Sequence, residues 1–421
     1  MKSPEHIAVV GAGLAGLRAA ERLRELGFHG ELTIIGAEKH KPYHRPALSK
    51  QFLEGGLRGR DLMLPSYFDL DAEWRLGTPV QRLDPARRVL YLPGEPPVRY
   101  DGLVIATGVR SRALPGAPLR DPRVHMLRTI DDATALHRSL AASDLPCLII
   151  GGGFTACELA STLRDLGRDV VLVSRSKTLL RGAFDPVMGE AITGLHRSKG
   201  VDVQLGAQVR HWAPAERGVG AYLSTGKFVV AGCVVLAVGG EPETDWLYGA
   251  GLDISDGVLC EPTCHVVGAS DVVAAGDMAR WPNRRFGSTP RRIEHWLNAM
   301  EMGRAAAESL LAGRAAAVPF EPMPRFWSEQ YGVRLQAAGM PRLGRRVVRL
   351  SGDARTGAGV LGYFADDLLV GVVGRESPRA MLHWAAKLRA SLTPAAAAAA
   401  TRRRIWRAWR QTTCTAEGAT A

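Results

Sequence analysis

Two glycine-rich loops of one type lie 140 residues apart, each behind a short apolar run and ahead of an alanine- and leucine-rich stretch. The first joins Ile7-Ala8-Val9-Val10 to Gly11-Ala-Gly13-Leu14-Ala15-Gly16; the second joins Cys147-Leu148-Ile149-Ile150 to Gly151-Gly-Gly153-Phe154-Thr155-Ala156. In such a loop the first glycine makes the strand-to-helix turn, the second lets the backbone approach a pyrophosphate, and the third lets helix pack on strand. The helix N-terminus then faces the anion. One copy alone fits a plain tight turn as well, but two copies in βαβ context point to two bound dinucleotides. Two charged residues accompany the loops. Lys50 ends the proline-rich segment Pro42-Tyr-His-Arg45-Pro-Ala-Leu-Ser-Lys50, and Glu158 falls in the first turn or two of the helix after the second loop, where a carboxylate also suits the helix dipole.

The chain that positions these residues has 421 of them, 46% hydrophobic and 23% charged, an ordinary globular composition long enough for two or three domains. Met1-Lys-Ser-Pro-Glu leads straight into the first apolar run and no run reaches membrane-spanning length, so a cytoplasmic protein without a membrane span is expected. Six cysteines, at 147, 157, 233, 260, 264 and 414, form no CxxC or metal-ligand spacing. They read as reduced packing residues, with no metal site. The formal net charge of +12 predicts a basic surface that attracts acidic partners.

Periodicity predicts an α/β fold with two Rossmann-like nucleotide-binding domains and a C-terminal α+β domain. Residues 1–112 and 241–320 are assigned to a discontinuous first domain, with 113–240 inserted as the second nucleotide unit. The return to the first domain is read at Val272-Val-Ala-Ala-Gly276-Asp277 and the helical stretch from about Trp296. Residues 321–392 carry short β-rich runs and a helix near 378–391. Residues 393–421, six alanines and then Thr401-Arg-Arg-Arg-Ile-Trp-Arg-Ala-Trp-Arg410, are read as a disordered tail.

The proline-rich segment, Ala106-Thr107-Gly108, Leu127-Arg128-Thr-Ile-Asp-Asp, Ala275-Gly276-Asp277 and Arg292-Ile-Glu294-His295-Trp296 together resemble the flavoprotein ferredoxin reductases. These are the putidaredoxin-reductase and rubredoxin-reductase type of the glutathione-reductase superfamily, with the pyridine nucleotide-disulfide oxidoreductase fold. The resemblance spans about residues 5–390, and Phe326-Trp-Ser-Glu-Gln-Tyr331 resembles the opening of that family's third, interface domain. It implies FAD contacts from Gly11, Gly13, Leu14, Ala15, Gly16, Arg45, Lys50, Val80, Ala106, Thr107, Gly108, Arg128, Gly276, Asp277, Glu294, His295 and Trp296. Of the two acids usual after the second strand, Ala37 replaces one and Glu38 remains for the adenosine ribose. NAD(P)H contacts are implied for Gly151, Gly153, Phe154, Thr155, Glu158, Ser174, Arg175, Arg181 and Gly239. Lys50 and Glu158 take the catalytic positions beside flavin and nicotinamide, Lys50 stabilising negative charge as the flavin is reduced.

The chain departs from that family where an acid usually ends the next strand to bind the NAD ribose. Ser174 stands there, followed by Arg175 and, six residues on, Arg181; Ala156 replaces the third glycine of the loop. This pattern resembles the NADPH-binding members of the superfamily, since a 2′-phosphate favours fork-shaped cations and a carboxylate repels it. NADPH is therefore expected over NADH, which stays possible. No cysteine precedes Cys147, which removes the flavin-side cysteine pair that disulfide reduction requires. The resemblance implies hydride transfer from NADPH to FAD, then single electrons to an acidic ferredoxin serving a cytochrome P450 or another oxygenase. Two alternatives remain open: an NAD(P)H flavin oxidase or quinone reductase, and a redox-sensing basic protein similar to apoptosis-inducing factor. No nucleic-acid motif is present, and the oligomeric state, monomer or weak dimer, is not fixed by the sequence.

Overall fold

The structure, a computed structural model, describes residues 4–352 and 357–392; the tail reading for 393–421 and the sixth cysteine, Cys414, lie outside the described residues. By internal contacts the chain forms two compact units. One comprises residues up to Asn283, Ser288–Phe320 and Ser328–Gly332; the other comprises Arg284–Gly287, Glu321–Trp327 and the chain from Val333.

The first unit is built on two five-stranded parallel sheets. In one, the order is Val272–Ala274, Gly102–Ile105, His6–Val10, Glu31–Gly36 and Glu73–Leu76. In the other, it is Asp202–Leu205, Val170–Ser174, Cys147–Ile150, Cys233–Leu236 and Val124–His125. The central strands are buried on both faces, as their continuous Val/Ile/Leu runs require of a parallel sheet. Helix α1 (Leu14–Glu25) follows the first glycine loop. Helix α2 (Ile130–Ala141) starts at a Thr129–Asp132 capping box, α3 (Phe154–Asp165) follows the second glycine loop, and α4 (Pro186–Ser198) is capped by Asp185. The chain passes from the first sheet to the second and back through Val109–Ser111 and Gly240–Pro242, which pair antiparallel. Arg110 ties the crossing with bonds of 2.8 Å to each of Glu241, Glu243 and Asp245.

The returning strand Val272–Ala274 pairs with Gly102–Ile105, and helix α5 (Trp296–Ala312) then packs on α1. Small residues set that distance. A Cβ on Gly303 would lie 2.3 Å from the carbonyl oxygen of Ala15, so the two helices meet backbone to side-chain-free backbone.

The second unit contains most of a five-stranded antiparallel sheet in the order Arg325–Gln330, Val333–Gly339, Leu368–Arg375, Gly359–Ala365 and Arg346–Gly352. The last residues of its first strand, from Ser328, and the following turn belong to the first unit. Helix α6 (Pro378–Ser391) buries Met381 and Leu388 in a core with Val360 and Val372. Among the described residues, the five cysteines are free and buried, and no helix is long and apolar enough to cross a membrane.

Two glycine-to-alanine changes in helices have opposite predicted signs. Gly303→Ala gains helix propensity but drives a methyl into Ala15, a net loss of about 1–3 kcal/mol, read as a lower urea midpoint. Gly194→Ala in α4, with nothing within 4 Å of the new Cβ, raises the midpoint by up to roughly 1 kcal/mol.

Candidate dinucleotide and redox site

At the first loop, Gly11 has φ +118° and a Cβ there would lie 2.2 Å from the oxygen of Ala106; a Cβ on Gly16 would lie 2.0 Å from that of Gly11. The loop is thus pressed onto Ala106 and Thr107 by close approaches that only glycine permits. Gly13, the N-cap of α1, has nothing within 4 Å of its Cβ position, no side-chain cap, and no acid in the helix's first turn. That open, uncapped helix end fits a pyrophosphate.

Around it, Arg128 Nη2 pairs with Asp277 Oδ2 at 3.1 Å, while the buried Nε of Arg128 has no hydrogen-bond partner among the described residues. Arg45 Nη2 meets Glu38 Oε1 at 2.5 Å, and Arg45 Nη1 donates to the Tyr43 hydroxyl and to the Arg128 carbonyl. Tyr43 in turn donates to Glu38 Oε2 at 2.6 Å. Glu38 is therefore fixed by two neighbours, with lone pairs left for a ribose hydroxyl. Glu294 pairs with Arg292, whose Nη1 also donates to the Asp277 carbonyl. His295 stands at the N-cap position of α5, and Trp296 meets the His44 ring edge to face at 5.0 Å. Gly276 has φ +81° and packs against Ala15, and Val80 lies in the core beneath.

The second loop repeats the pattern. A Cβ on Gly151 would lie 2.1 Å from the Ala237 oxygen, Gly153 at the N-cap of α3 is open, and Ala156 is fully buried. Phe154 and Thr155 open the helix; Gly239 has φ +108° with nothing near its Cβ position. Ser174 is buried, and its Oγ lies 2.5 Å from the Cβ position of Gly152. Leu180, at φ +54°, donates its N–H to the Gly152 oxygen at 2.7 Å and so folds the segment after Ser174 back over the loop. Arg175 and Arg181 on that segment are exposed, and among the described residues neither side chain forms an ion pair.

Lys50 and Glu158, 108 positions apart in sequence, meet with Lys50 Nζ 2.5 Å from Glu158 Oε2. Glu158 sits in the second turn of α3, beyond the reach of a simple N-terminal dipole explanation. The loop carrying Lys50 is pinned to α3 by Thr162 Oγ1, which donates to the Ser49 carbonyl at 2.8 Å. Ser49 Oγ also donates to Glu158 Oε2, at 3.1 Å.

Sequence reasoning missed the residues behind Glu158. Ser328 Oγ donates to Glu158 Oε1 at 2.8 Å; Gln330 Nε2 lies 3.2 Å from Ser328 Oγ, and His196 Nε2 lies 3.0 Å from Gln330 Oε1. The alternation of Ser328 and Gln330 along a strand was the available signal, since i and i+2 share a face. Nothing in the sequence near His196 links it to them.

The fold and site define a flavin- and nicotinamide-type oxidoreductase with two dinucleotide cradles and a charged pair between them. The chain belongs to the pyridine nucleotide-disulphide oxidoreductase family, whose profile matches residues 5–303; a reductase C-terminal domain matches 325–404. It is 32% identical to the benzene 1,2-dioxygenase system ferredoxin–NAD(+) reductase subunit of Pseudomonas putida, over 89% of this chain and 90% of the relative. A chain of the covalent putidaredoxin reductase–putidaredoxin complex superimposes with a TM-score of 0.85 at 27% identity, covering 91% of this chain and 93% of that one. An engineered water-forming NADPH oxidase bound to NADPH shares the fold at a TM-score of 0.81 and 20% identity, over 92% of this chain and 90% of that one.

Burial pushes the His196 imidazole down to about 4, with Gln330 opposing. Its folded value lies below the unfolded one of about 6.5, so the unfolded chain takes up the proton first. The stability this neutral histidine contributes is present above about pH 6.5 and is lost as pH falls toward 4. Calorimetric melting temperatures should fall across that window, and more steeply in wild type than in His196→Asn.

Proposed function

We propose that this protein is an FAD-dependent ferredoxin reductase that takes a hydride from NADPH and passes electrons one at a time to a ferredoxin of an oxygenase system. The Lys50–Glu158 pair carries this reading, because it joins the loop of the first cradle to the helix of the second, where a hydride must pass between two bound rings. Bound FAD supplies the two-electron to one-electron conversion. The chain's own residues bind and orient: Gly13 and Gly153 present open helix ends to the pyrophosphates, Asp277 offers an acceptor to a flavin-chain hydroxyl, and Lys50 supplies positive charge beside the reacting ring.

Names of the similar proteins support the partner. One serves a benzene dioxygenase and another is joined covalently to putidaredoxin. A ferredoxin of acidic surface suits the net charge of +12. Free, buried thiols suit a reducing cytoplasm. The domain division proposed is an FAD-binding domain of 1–112 with 241–320, an NAD(P)H-binding domain of 113–240, and an interface domain of 321–392.

The coenzyme is where this chain leaves its named NAD(+)-dependent relatives. A small buried Ser174 stands where the family resemblance implies a ribose-binding acid, and two exposed guanidinium groups flank the folded-back segment. The engineered NADPH oxidase is a variant bearing glycine-to-alanine, aspartate-to-alanine, alanine-to-arginine, methionine-to-serine and proline-to-arginine changes, spaced by 18, 1, 1 and 5 residues. Ala156, Ser174, Arg175, Ser176 and Arg181 follow the same spacing here.

Steady-state assays with a ferredoxin acceptor should give kcat/KM for NADPH at least about tenfold above that for NADH, the worth of one charge-assisted phosphate contact. Arg175→Ala raises KM for NADPH and leaves NADH nearly unchanged; Arg181→Ala acts likewise, more weakly. Equal or better use of NADH by wild type overturns the phosphate site. Failure to reduce any ferredoxin, with rapid reduction of oxygen or quinone, overturns the acceptor.

A further inference from the structure

The contacts behind Glu158 have a direction that can be worked out atom by atom. An ionised carboxylate only accepts, so the Ser328 hydroxyl, 2.8 Å from Oε1, must donate to it. Ser328 Oγ is then free to accept, and the donor within reach is the Gln330 amide nitrogen. That turns Gln330 Oε1 toward His196 Nε2, which must carry the proton. Neutral imidazole has one N–H, so Nδ1 is an acceptor, and the Tyr331 hydroxyl lies 2.9 Å from it.

Every donor from Tyr331 to Ser328 therefore points at Glu158. Ser328, Gln330 and His196 are at most 1% exposed, so water does not compete for these bonds. In such a medium, hydrogen bonds aligned head to tail polarise one another and strengthen the last. An amide in the middle passes no proton readily, which makes the chain a brace rather than a proton wire.

The chain begins at an unusual place. Tyr331 and Gly332 form a two-residue hairpin turn with φ +53° and +73°, a conformation that favours glycine or asparagine and is costly for tyrosine. The turn is anchored by the Tyr331 N–H, which donates to Ser161 Oγ at 2.6 Å. Ser161 is on α3, the helix that carries Glu158, so the strand end and the helix are registered to each other at both ends of the chain.

We propose that Tyr331, His196, Gln330 and Ser328 are positioning residues, a one-way hydrogen-bond chain that holds the Glu158 carboxylate in the single orientation that pairs its other oxygen with Lys50. This rests on the reading that the Lys50–Glu158 pair works beside the reacting rings. Other charged or titratable groups around the chain are Lys50 at Glu158, and Lys199, Arg164, Asp165 and Cys157 around Tyr331.

The test uses the flavin-loaded protein and two readouts. Nitrogen-15 NMR of labelled histidine should show His196 as the neutral Nε2–H tautomer at pH 7, with Nδ1 accepting. In Tyr331→Phe, the Nδ1 signal should shift as its donor is lost. Gln330→Glu keeps the shape but accepts from both neighbours, so it should turn the Ser328 hydroxyl away from Glu158 and make His196 doubly protonated.

In stopped-flow reduction by NADPH, Ser328→Ala and Gln330→Glu should each lower the limiting rate about tenfold, the effect of one hydrogen bond to a charged group. NADPH affinity and flavin content should stay within about twofold. The double variant should be no slower than Ser328→Ala, because Gln330 acts through Ser328. An Nδ1–H tautomer in wild type overturns the chain's direction. A normal rate in Ser328→Ala, with Glu158→Gln slow, overturns the positioning role alone; a normal rate in Glu158→Gln overturns that role together with the site reading. If Gln330→Glu does not fold, Tyr331→Phe at its half-buried position carries the test, with a rate loss of about twofold supporting the chain and no change in either readout overturning it.

Discussion

A lysine and a glutamate share a site that is mostly closed to water, with side chains 18% and 12% exposed. Much of the molecule follows from making that tolerable. Two charges taken from water lose several kcal/mol of hydration each, and their attraction compensates only with good geometry and further hydrogen bonds. Ser49 and Ser328 supply those bonds to Glu158, one on each oxygen. Each comes from a separate stretch of chain, so the pair requires the proline-rich loop, α3 and the Ser328 strand end to be in register.

The nucleotide cradles obey a different constraint, close approach of backbone. Gly11 and Gly151 turn where a Cβ would strike the carbonyl of the neighbouring strand's end, at Ala106 and Ala237. This leaves the helix N-termini at Gly13 and Gly153 bare, and a bare helix end is an electrostatic site for phosphate without any cationic side chain. The cations then have other work. Arg45 and Arg128 fix Glu38 and Asp277 around the first cradle. At the second, Arg175 and Arg181 stay uncommitted among the described residues, on a segment whose fold is set by a Leu180 bond to Gly152.

The two parallel sheets are joined by a double crossing, and Arg110 gathers three carboxylates there. The cluster is partly open to water, so it contributes through geometry, fixing two antiparallel strands that each connect a sheet to the other. Helix α5 packs on α1 through Gly303 at Ala15, and Gly276 also packs against Ala15. Small residues at these contacts allow a backbone separation that larger ones would forbid.

The sequence by itself determined the local chemistry: glycine loops between apolar runs, the helix starts that follow them, the Arg175–Arg181 spacing and the order of strands and helices. These are legible because each depends on residues within a turn or two of one another. It also raised a Lys50–Glu158 partnership through resemblance. Only the tertiary structure decided the distances in it, the tie of Glu38 to both Tyr43 and Arg45, and the line from Tyr331 through His196 and Gln330 to Glu158. His196 lies on α4 and Gln330 on a strand 134 positions later. A hydrogen bond needs its partners within about 3 Å, and no spacing or composition rule reports which distant side chains folding will bring that close.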